Sequence, residues 1–270
     1  MYKFYVIGNP ISHSRSPLLF ANIFKILNIN AVYKPLLIKN SHNYKTFIQD
    51  IHNTNILGFN ITMPYKILAN EYIQTVEQKA QIIQSINCVH IKNNQLIGYN
   101  NDYIGFEKMM NYNKIKIDNT HNIIIGSGGT ARSIILSLIN NNAHTISILS
   151  RNEKTAKKII SNYSQYKQNT VLQLFQKKCN YNNVNLINCT PIGLIGKNNI
   201  EILKSIPKIH YNNIIDVNYN TKNNYFNFTS NKKIDGLDML LFQALESLDI
   251  WFESNISNKL NYSELKKIIC

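Results

Sequence analysis

The segment from Asn122 to Arg132 reads NIIIGSGGTAR, and it decides the fold. Its three consecutive isoleucines are typical of a buried strand in a parallel sheet. A turn with three glycines follows the strand, and apolar residues then recur at helical spacing from Ser133 to Ile139. A strand, a glycine-rich turn and a helix in this order predict a βαβ unit whose helix N-terminus is open to an anion.

The same alternation of short apolar runs and helical stretches covers most of the chain and predicts an α/β protein. The predicted strands are Phe4–Ile7, Val32–Leu37, Gly58–Ile61, Ile123–Ile125, Ile146–Leu149, Val184–Ile187 and Ile214–Val217. The predicted helices are Ser16–Leu27, Asn43–Ile51, Gly105–Met110, Ala131–Ile139 and Thr155–Tyr163.

The position of the glycine turn in mid-chain indicates two domains. Residues 1–103 precede the βαβ unit and are numerous enough for an α/β domain of their own. An apolar helix from Leu237 to Trp251 is predicted to pack back on this first domain, so that residues 237–270 complete it. Residues 104–236 are predicted to form a Rossmann-type domain, and a central cleft between the domains is the expected ligand site.

The composition excludes several classes of protein. With 44% hydrophobic and 16% charged residues among 270, the chain is expected to be folded. The net charge of +14 comes from dispersed lysines without a basic block, so we expect no nucleic-acid partner. We find no signal peptide and no run near the roughly 20 apolar residues of a membrane span, which predicts a cytoplasmic protein with no membrane partner. The sequence leaves open whether it is a monomer or a homodimer.

No metal site is predicted from the cysteines or the histidines. The seven histidines are dispersed without the paired spacing that would put two imidazoles on one ion. The cysteines show no CxxC pairing, so neither zinc nor a disulfide framework is expected. We expect free thiols at Cys88, Cys179, Cys189 and Cys270.

The glycine turn is a candidate site for the pyrophosphate of a dinucleotide. Glycine lets the backbone approach a phosphate group, and the helix end presents free N–H groups to it. The alternative interpretation is an ordinary tight turn between a strand and a helix. The candidate cofactor-binding residues of this turn are Gly126, Ser127, Gly128, Gly129, Thr130 and Ala131.

The end of the next predicted strand favours NADP(H) over NAD(H). NAD-binding domains carry an acidic residue there, whereas this chain has Ser150, Arg151 and Asn152, with Lys154 shortly after. A guanidinium group suits a 2′-phosphate, and no carboxylate stands at the strand end to repel it. The alternative, a solvated cationic helix start, is disfavoured because cations are unfavourable at a helix N-terminus.

Four further segments place polar side chains beside predicted strands. They read GNPISHSRSP at residues 8–17, GFNITMPYK at 58–66, SINC at 85–88 and GYNND at 98–102. Their hydroxyls, amides, amine and carboxylate suit a small anion with hydroxyl groups. The chain has only three arginines, Arg15, Arg132 and Arg151, and each lies in one of these segments or in the cofactor turns, so all three are expected near ligands.

Together with the cofactor turns, NCTPIG at 188–193 and GLDMLLFQA at 236–244, these segments resemble the shikimate dehydrogenase family. Its members carry GNPxxHSxSP, NVTxPxK, AVNT, GxNTDxxG, GAGGAxR, NRT, NATPxG and GLxMLxxQA in this order. The resemblance runs from Gly8 to Ala244. The departures include Ile61 and Ile86 for valine, Cys88 and Asn101 for threonine, Ser127 and Cys189 for alanine, and Asp238 at a position where glycine is common. They leave the polar positions that contact ligands intact.

The resemblance implies an NADPH-dependent reduction of the C3 ketone of 3-dehydroshikimate to shikimate, in aromatic amino-acid biosynthesis. It implies that Lys66 and Asp102 form the acid–base pair. It also implies that Ser14 and Ser16 bind the substrate carboxylate, with Tyr219 as a further candidate. The candidates for the ring hydroxyls are Thr62, Asn87, Asp102 and Gln243, and the resemblance adds Thr190, Val217 and Gly236 to the cofactor-binding residues.

Purely structural roles are the alternative for these residues. Lys66 could be a surface lysine, Asp102 could form an Asx-turn or cap a helix, and Ser14 or Ser16 could cap the helix that starts near Pro17. Gln243 could be an incidental polar residue on an apolar helix.

Three other functions are also compatible with this architecture. An NAD-using quinate/shikimate dehydrogenase is disfavoured by Arg151, which stands where an acidic residue would be expected. A methylene-tetrahydrofolate dehydrogenase is disfavoured by the HSxSP loop. A non-catalytic NADP-binding regulator is disfavoured because the chain retains both Lys66 and Asp102.

Overall fold

The computed structural model describes residues 1–177, 182–193, 201–219 and 227–270, which form two compact units. The first unit consists of Met1–Gly105 and Leu240–Cys270, and the second of Phe106–Met239. Within the described residues, each unit contains one six-stranded sheet. The predicted α/β class is therefore confirmed.

The sheet of the first unit is mixed, with the strand order β2-β1-β3-β5-β6-β4. Strand β1 pairs in parallel with β2 and β3, whereas β5 pairs antiparallel with both β3 and β6. The strands are β1 Tyr2–Gly8, β2 Ala31–Leu37, β3 Ile56–Ile61, β4 Thr75–Val76, β5 Cys88–Lys92 and β6 Gln95–Tyr99.

The spacing of apolar residues predicted most of the α-helices. The α-helices are α1 Ser16–Ile26, α2 Ser41–Asp50, α3 Gln78–Ile83, α4 Asp102–Tyr112, α5 Gly129–Asn140, α6 Glu153–Tyr163, α7 Leu237–Phe252 and α8 Tyr262–Ile269. Short 3-10 helices lie at Ile51–Asn53, Leu68–Glu71, Glu201–Ser205 and Ile256–Lys259.

The last part of α7 packs on the sheet of the first unit through Trp251. Its indole ring stacks on Phe4 with 4.6 Å between the ring centroids, and its Nε1–H donates to the Val89 main-chain oxygen at 2.9 Å. A side chain at Gly58 would come within 2.2 Å of Nε1, so the indole occupies the space that this glycine leaves on β3. Trp251, near the end of α7, therefore packs against β1 and β5 of this sheet.

The sheet of the second unit is entirely parallel, with the strand order β12-β11-β10-β7-β8-β9. The strands are β7 His121–Ile125, β8 Thr145–Leu149, β9 Val171–Leu174, β10 Val184–Asn188, β11 Tyr211–Asp216 and β12 Ser230–Asp235. Counted from β7, this is the 6-5-4-1-2-3 order of the Rossmann fold, whose strand order reverses between β7 and β10. The predicted Rossmann-type architecture is confirmed.

All predicted strands and helices are present, although Val217 lies just after β11 and not within it. Sequence analysis missed β4, β5, β6, β9, β12, α3 and α8, which are short or rich in polar residues. Within the described part of the chain, no helix combines the length and apolar character needed to cross a membrane. Cys88, Cys189 and Cys270 are not in disulfide bonds, and Cys179 lies outside the described residues.

Candidate active site

One edge of the first sheet collects most of the predicted substrate-binding segments. Strands β1 and β3 are parallel neighbours, with Ile7 opposite Ile61, so the loops that follow both strands leave at the same edge. Strand β5 runs the opposite way and begins at this edge, where Cys88 faces both Asn60 and Tyr99. The residues after β3, before β5 and after β6 therefore meet there.

Lys66 and Asp102 form an ion pair at this edge. The Lys66 Nζ atom lies 2.6 Å from Asp102 Oδ2, and the two side chains are 17% and 6% exposed. Charge-assisted hydrogen bonds of this length are strong, and partial burial limits their screening by solvent. Lys66 is therefore not an ordinary surface lysine.

The Asp102 carboxylate is oriented from its other side by Asn87. The Asn87 side-chain amide donates to Asp102 Oδ1 at 2.7 Å, while its own Oδ1 accepts from the main-chain N–H of Asn101 at 2.6 Å. The main-chain N–H of Asp102 donates to Asn100 Oδ1 at 3.1 Å. Asp102 is the first residue of α4, and both of its carboxylate oxygens accept from side chains.

Main-chain hydrogen bonds position the segment that carries Lys66. The Tyr65 N–H donates to the Thr62 oxygen at 3.0 Å, and the Ile86 N–H donates to the Lys66 oxygen at 2.8 Å. The Tyr65 hydroxyl donates to the Ile38 oxygen at 2.7 Å in the core. Lys66 is thus tied both to its own turn and to the residue before Asn87.

Thr62, Ser14 and Ser16 lie in the loops after β3 and β1. The Thr62 N–H donates to the Ile7 oxygen at 2.9 Å, and a side chain at Gly8 would come within 2.4 Å of Thr62 Cγ2, so these loops are in close contact. Ser16 is the first residue of α1 and does not cap it. Instead, the Ser14 hydroxyl accepts from the Ser16 N–H at 3.3 Å, which corrects the alternative that Ser16 is the cap.

Gln243 and Tyr219 complete the predicted substrate-binding set. Gln243 is half-buried on α7, where its amide donates to the Leu240 oxygen at 2.8 Å. Its Oε1 lies 3.5 Å from Asn87 Nδ2, a long contact that nevertheless puts it beside the Lys66–Asp102 cluster. Tyr219 follows β11 in the second unit and is half-buried.

The glycine turn of the second unit fits a pyrophosphate group. Gly126 has a φ of +115°, which L side chains rarely adopt, and it accounts for the turn after β7. A side chain at Gly128 would meet nothing within 4 Å, so this backbone faces open space. Gly128 is also the N-cap of α5 and offers no capping side chain. The N-terminus of a helix is suited to a phosphate, because its first main-chain N–H groups point out of the helix.

A pair of hydroxyl groups joins this turn to the end of β8. Ser127 Oγ and Ser150 Oγ lie 2.8 Å apart, and Ser150 Oγ also accepts from the Asn152 N–H at 3.2 Å. Arg151, Asn152 and Lys154 are exposed beside the pair. Asn152 caps α6 through its Oδ1, so its amide N–H groups are what it can offer to a ligand.

One acidic residue near this strand end was overlooked in the sequence. Glu153 begins α6 two residues after Arg151, but its carboxylate pairs with Lys157 at 2.9 Å on the helix surface. The three arginines lie in different surroundings. Arg15 donates to the main-chain oxygen of Ile269, and Arg132 is 5% exposed within α5, so Arg151 is the one exposed beside a cofactor turn.

A polar cluster that sequence reasoning missed supports the remaining cofactor candidates. Thr190 donates to Asn188 Oδ1 from both its N–H and its hydroxyl, and the Asn188 amide donates to Asp216 Oδ1 at 2.9 Å. Asn218 donates to the same Asp216 oxygen and to the Thr190 main-chain oxygen. Burial raises the pKa of the Asp216 carboxyl to about 6, although the hydrogen bonds from Asn218 and Asn188 oppose this rise.

Val217 and Gly236 approach each other directly beyond this cluster. A side chain at Gly236 would come within 2.0 Å of the Val217 main-chain oxygen, so only glycine allows this contact. The Val217 N–H donates to the Asn188 oxygen at 3.1 Å. The turns after β10, β11 and β12 are thereby joined at the carboxyl edge of the second sheet, where Rossmann domains bind their ligands.

Comparison with known proteins identifies what the chain is similar to. A family profile described as the shikimate dehydrogenase substrate binding domain matches residues 6–89. The shikimate dehydrogenase (NADP(+)) of Clostridium beijerinckii is 32% identical over 263 residues, which cover 96% of this chain and 95% of that protein. The protein of the same name from Methanococcus vannielii is 33% identical over 261 residues, covering 91% of this chain and 89% of that protein.

Solved structures give the same result over the whole chain. A crystal structure of shikimate dehydrogenase 1 from Peptoclostridium difficile has a TM-score of 0.81 at 26% identity, covering 100% of this chain and 97% of that chain. A shikimate dehydrogenase structure in complex with NADP+ has a TM-score of 0.82 at 26% identity, covering 100% of this chain and 94% of that chain.

Proposed function

The chain belongs to the shikimate dehydrogenase family, and on that premise we propose that it catalyses the reversible NADPH-dependent reduction of 3-dehydroshikimate to shikimate. This is a step in the biosynthesis of aromatic amino acids. The observation that carries the proposal is the partly buried Lys66–Asp102 pair, held 2.6 Å apart beside a cluster of amide and hydroxyl groups. A carbonyl reduction needs a group next to the reacting oxygen that stabilises its negative charge and donates a proton, and such a pair can supply both.

We assign a different role to each of the two units. Residues 1–103, completed by residues 237–270, bind the substrate and carry the acid–base pair. Residues 104–236 bind NADP(H), which supplies the hydride for the reaction. The glycine turn from Gly126 to Ala131 holds the pyrophosphate, and Arg151 binds the 2′-phosphate. Ser150, Asn152, Lys154, Thr190, Val217 and Gly236 complete the proposed cofactor-binding set.

Lys66 and Asp102 manage the proton and the developing charge. As the C3 carbonyl oxygen gains negative charge, the Lys66 ammonium group stabilises it and donates a proton to it. Asp102 orients the ammonium group through the ion pair, and Asn87 orients Asp102 in turn. This arrangement is set before the substrate binds, so little reorganisation is needed during the reaction.

The polar side chains around the pair account for substrate recognition. Ser14 and Ser16 bind the carboxylate, with Tyr219 as an additional ligand, because hydroxyl groups can donate to an anion. Thr62, Asn87, Asp102 and Gln243 bind the ring hydroxyls. We also propose that the enzyme works in the cytoplasm as a monomer or homodimer, with no nucleic acid as a partner.

The decisive experiment follows the absorbance of NADPH after 3-dehydroshikimate is added to the purified chain. We expect oxidation of NADPH in the presence of the ketone, and a much lower rate with NADH. Comparable rates with NADH, together with NAD-dependent oxidation of quinate, would favour a quinate/shikimate dehydrogenase. Binding of NADPH without any turnover would favour a non-catalytic regulator and would overturn the proposal.

A further inference from the structure

A buried hydroxyl group on α7, that of Ser247, lies at the centre of a polar network behind the Lys66–Asp102 pair. It donates to the Gln243 main-chain oxygen at 3.0 Å and accepts from the side-chain amides of Asn60 at 2.8 Å and Asn101 at 3.0 Å. Ser247 has no exposed surface. A hydroxyl group has one proton and two lone pairs, and each of them takes part in one of these three bonds.

The first branch of the network runs through Asn60. Its Oδ1 accepts from the Tyr33 hydroxyl at 2.8 Å, and its amide donates to Ser247 and, at 3.1 Å, to the Asn87 main-chain oxygen. Both amide protons of Asn60 therefore have acceptors in a site that is 6% exposed. This branch ties the main chain of Asn87 to α7.

The second branch runs through Asn101, the residue that precedes Asp102. Its side-chain amide donates to Ser247, and its main-chain N–H donates to Asn87 Oδ1. Asn101 replaces the threonine of the family pattern, and its longer amide side chain supplies the donor that Ser247 accepts. Asn60 and Asn101 both donate to Ser247. Asn60 also donates to the main-chain oxygen of Asn87, and Asn101 to its side-chain oxygen.

We propose that Ser247 is a positioning residue for the Lys66–Asp102 pair, acting through Asn60, Asn101 and Asn87. Asn87 donates to Asp102 Oδ1, so an Asn87 that is free to shift would let the carboxylate turn away from Lys66. Gln243 and Ser247 are four residues apart on one face of α7, so the same hydroxyl also fixes the helical turn that carries Gln243. The inference rests on the proposed function, because it specifies how that function's acid–base pair is held.

The test is Ser247→Ala in the full chain, assayed with NADPH and 3-dehydroshikimate. The substitution leaves the amides of Asn60 and Asn101 without their acceptor in a buried site, so they must reorganise. We expect kcat to fall about tenfold because the reacting groups lose their alignment. The Kd of NADPH, measured by its fluorescence without substrate, should not change, because its proposed ligands lie in the second unit.

Two further variants separate positioning from a general loss of structure. Ser137→Ala removes a helical serine of the second unit that is 2% exposed, and it should leave kcat unchanged. Asn101→Ala removes one donor from the network and should lower kcat about threefold. The double variant with Ser247→Ala should have a kcat only slightly below that of Ser247→Ala alone, because the effects of residues that act as one unit are not additive.

The outcomes distinguish this inference from the proposed function. If the unaltered chain shows no turnover, the proposed function has failed. If it turns over and Ser247→Ala keeps its kcat, the positioning role is refuted. An equal loss of kcat and of NADPH affinity, or strict additivity with Asn101→Ala, would also refute it. If Ser247→Ala does not fold, Asn101→Ala alone decides, since full kcat in that variant contradicts the proposal.

Discussion

Burial separates two lysine–carboxylate pairs of nearly equal length in the first unit. Lys66–Asp102 measures 2.6 Å with side chains 17% and 6% exposed, whereas Lys92–Glu253 measures 2.7 Å with side chains 46% and 51% exposed. Solvent screens the second pair, and exposed pairs of this kind contribute little to stability. The charge of Lys66 is therefore the one that can act strongly on a nearby oxygen atom.

The first prediction follows from this contrast. Lys66→Ala should lower kcat for 3-dehydroshikimate by at least about 100-fold, because the proton donor is lost. The KM values should change much less, since the hydroxyl and amide groups that bind the substrate remain. Lys92→Ala is the matched control and should keep its kcat. Steady-state kinetics with NADPH measure both, and a near-normal kcat for Lys66→Ala would contradict the acid–base assignment.

The fold changes the ionisation of Asp216, which lies in the polar cluster after β10 and β11. Its pKa rises to about 6, first because burial disfavours the charged form and also because Asp235 repels it. The folded state therefore holds a proton on Asp216 at pH values where an unfolded aspartate has already lost it. By linkage, this contribution stabilises the protein at low pH and is lost as the pH rises through about 6.

The second prediction concerns this linkage. Between about pH 4 and about pH 6, Asp216 should make the free energy of unfolding fall by up to about 1.4 kcal/mol per pH unit as the pH rises. Asp216→Asn keeps an oxygen acceptor for Asn188 and Asn218 but cannot titrate, so this part of the fall should vanish. Urea unfolding followed by far-ultraviolet circular dichroism at several pH values compares the two chains. Identical pH dependences would show that Asp216 titrates normally.

At the scale of elements, the turn between β7 and α5 contains two glycines with different tasks. Gly126 has a φ of +115°, and a side chain there would come within 3.0 Å of Thr190 Cγ2. Gly128 has an ordinary φ of −79° and open space around it. The first glycine is required by the backbone conformation, and the second is required only if a ligand approaches.

The third prediction uses this pair of glycines. Gly128→Ala should keep its thermal stability but bind NADPH at least about tenfold more weakly, because the methyl group occupies the space that the pyrophosphate needs. Gly126→Ala should lose stability by about 1–3 kcal/mol through backbone strain. Thermal unfolding and fluorescence titration with NADPH measure the two effects. A Gly128→Ala chain with full NADPH affinity would exclude this turn as the pyrophosphate site.

The β5–β6 hairpin was not predicted from the sequence, although it positions residues of the site. Its turn residues Asn93 and Asn94 have φ values of 48° and 61°, as expected for a tight hairpin turn. This turn sets the register that places Cys88 opposite Tyr99. That register brings Asn87 next to Asp102. An Asn-Asn pair between two apolar runs was the available signal.

At the scale of the whole molecule, the first unit is assembled from both ends of the chain. Residues 240–270 belong to it, although the residues of the second unit, 106–239, precede them in the chain. The packing of α7 on the first sheet depends on Gly58, because any side chain there would collide with the Trp251 indole. Ser247 and Gln243 come to the site on the same helix, so its packing on the sheet also determines the site.

The fourth prediction tests the packing of Trp251 against Gly58. Gly58→Ala should destabilise the first unit by about 1–3 kcal/mol through overpacking. It should also shift the fluorescence of Trp251, the only tryptophan in the chain, to longer wavelength as the indole loses its bond to Val89. NADPH affinity should stay unchanged, the reverse of the pattern expected for Gly128→Ala. Unaltered emission and stability would mean that the helix is not held by this contact.

The sequence by itself determined the α/β class, the Rossmann-type unit and the positions of the polar segments. These features follow from patterns that are local along the chain: apolar runs, helical spacing, a glycine turn, and hydroxyl or amide groups where strands end. The order of the motifs also indicated Lys66 and Asp102 as partners. No local signal showed how the two side chains meet.

The tertiary structure alone decided which distant side chains contact one another. The 2.6 Å Lys66–Asp102 pair, the bond from Asn87 and the network around Ser247 all depend on strand register and on a helix that returns from the end of the chain. The raised pKa of Asp216 likewise depends on its burial. Register and burial are set by contacts between residues far apart in sequence, and for that physical reason they cannot be read from local patterns.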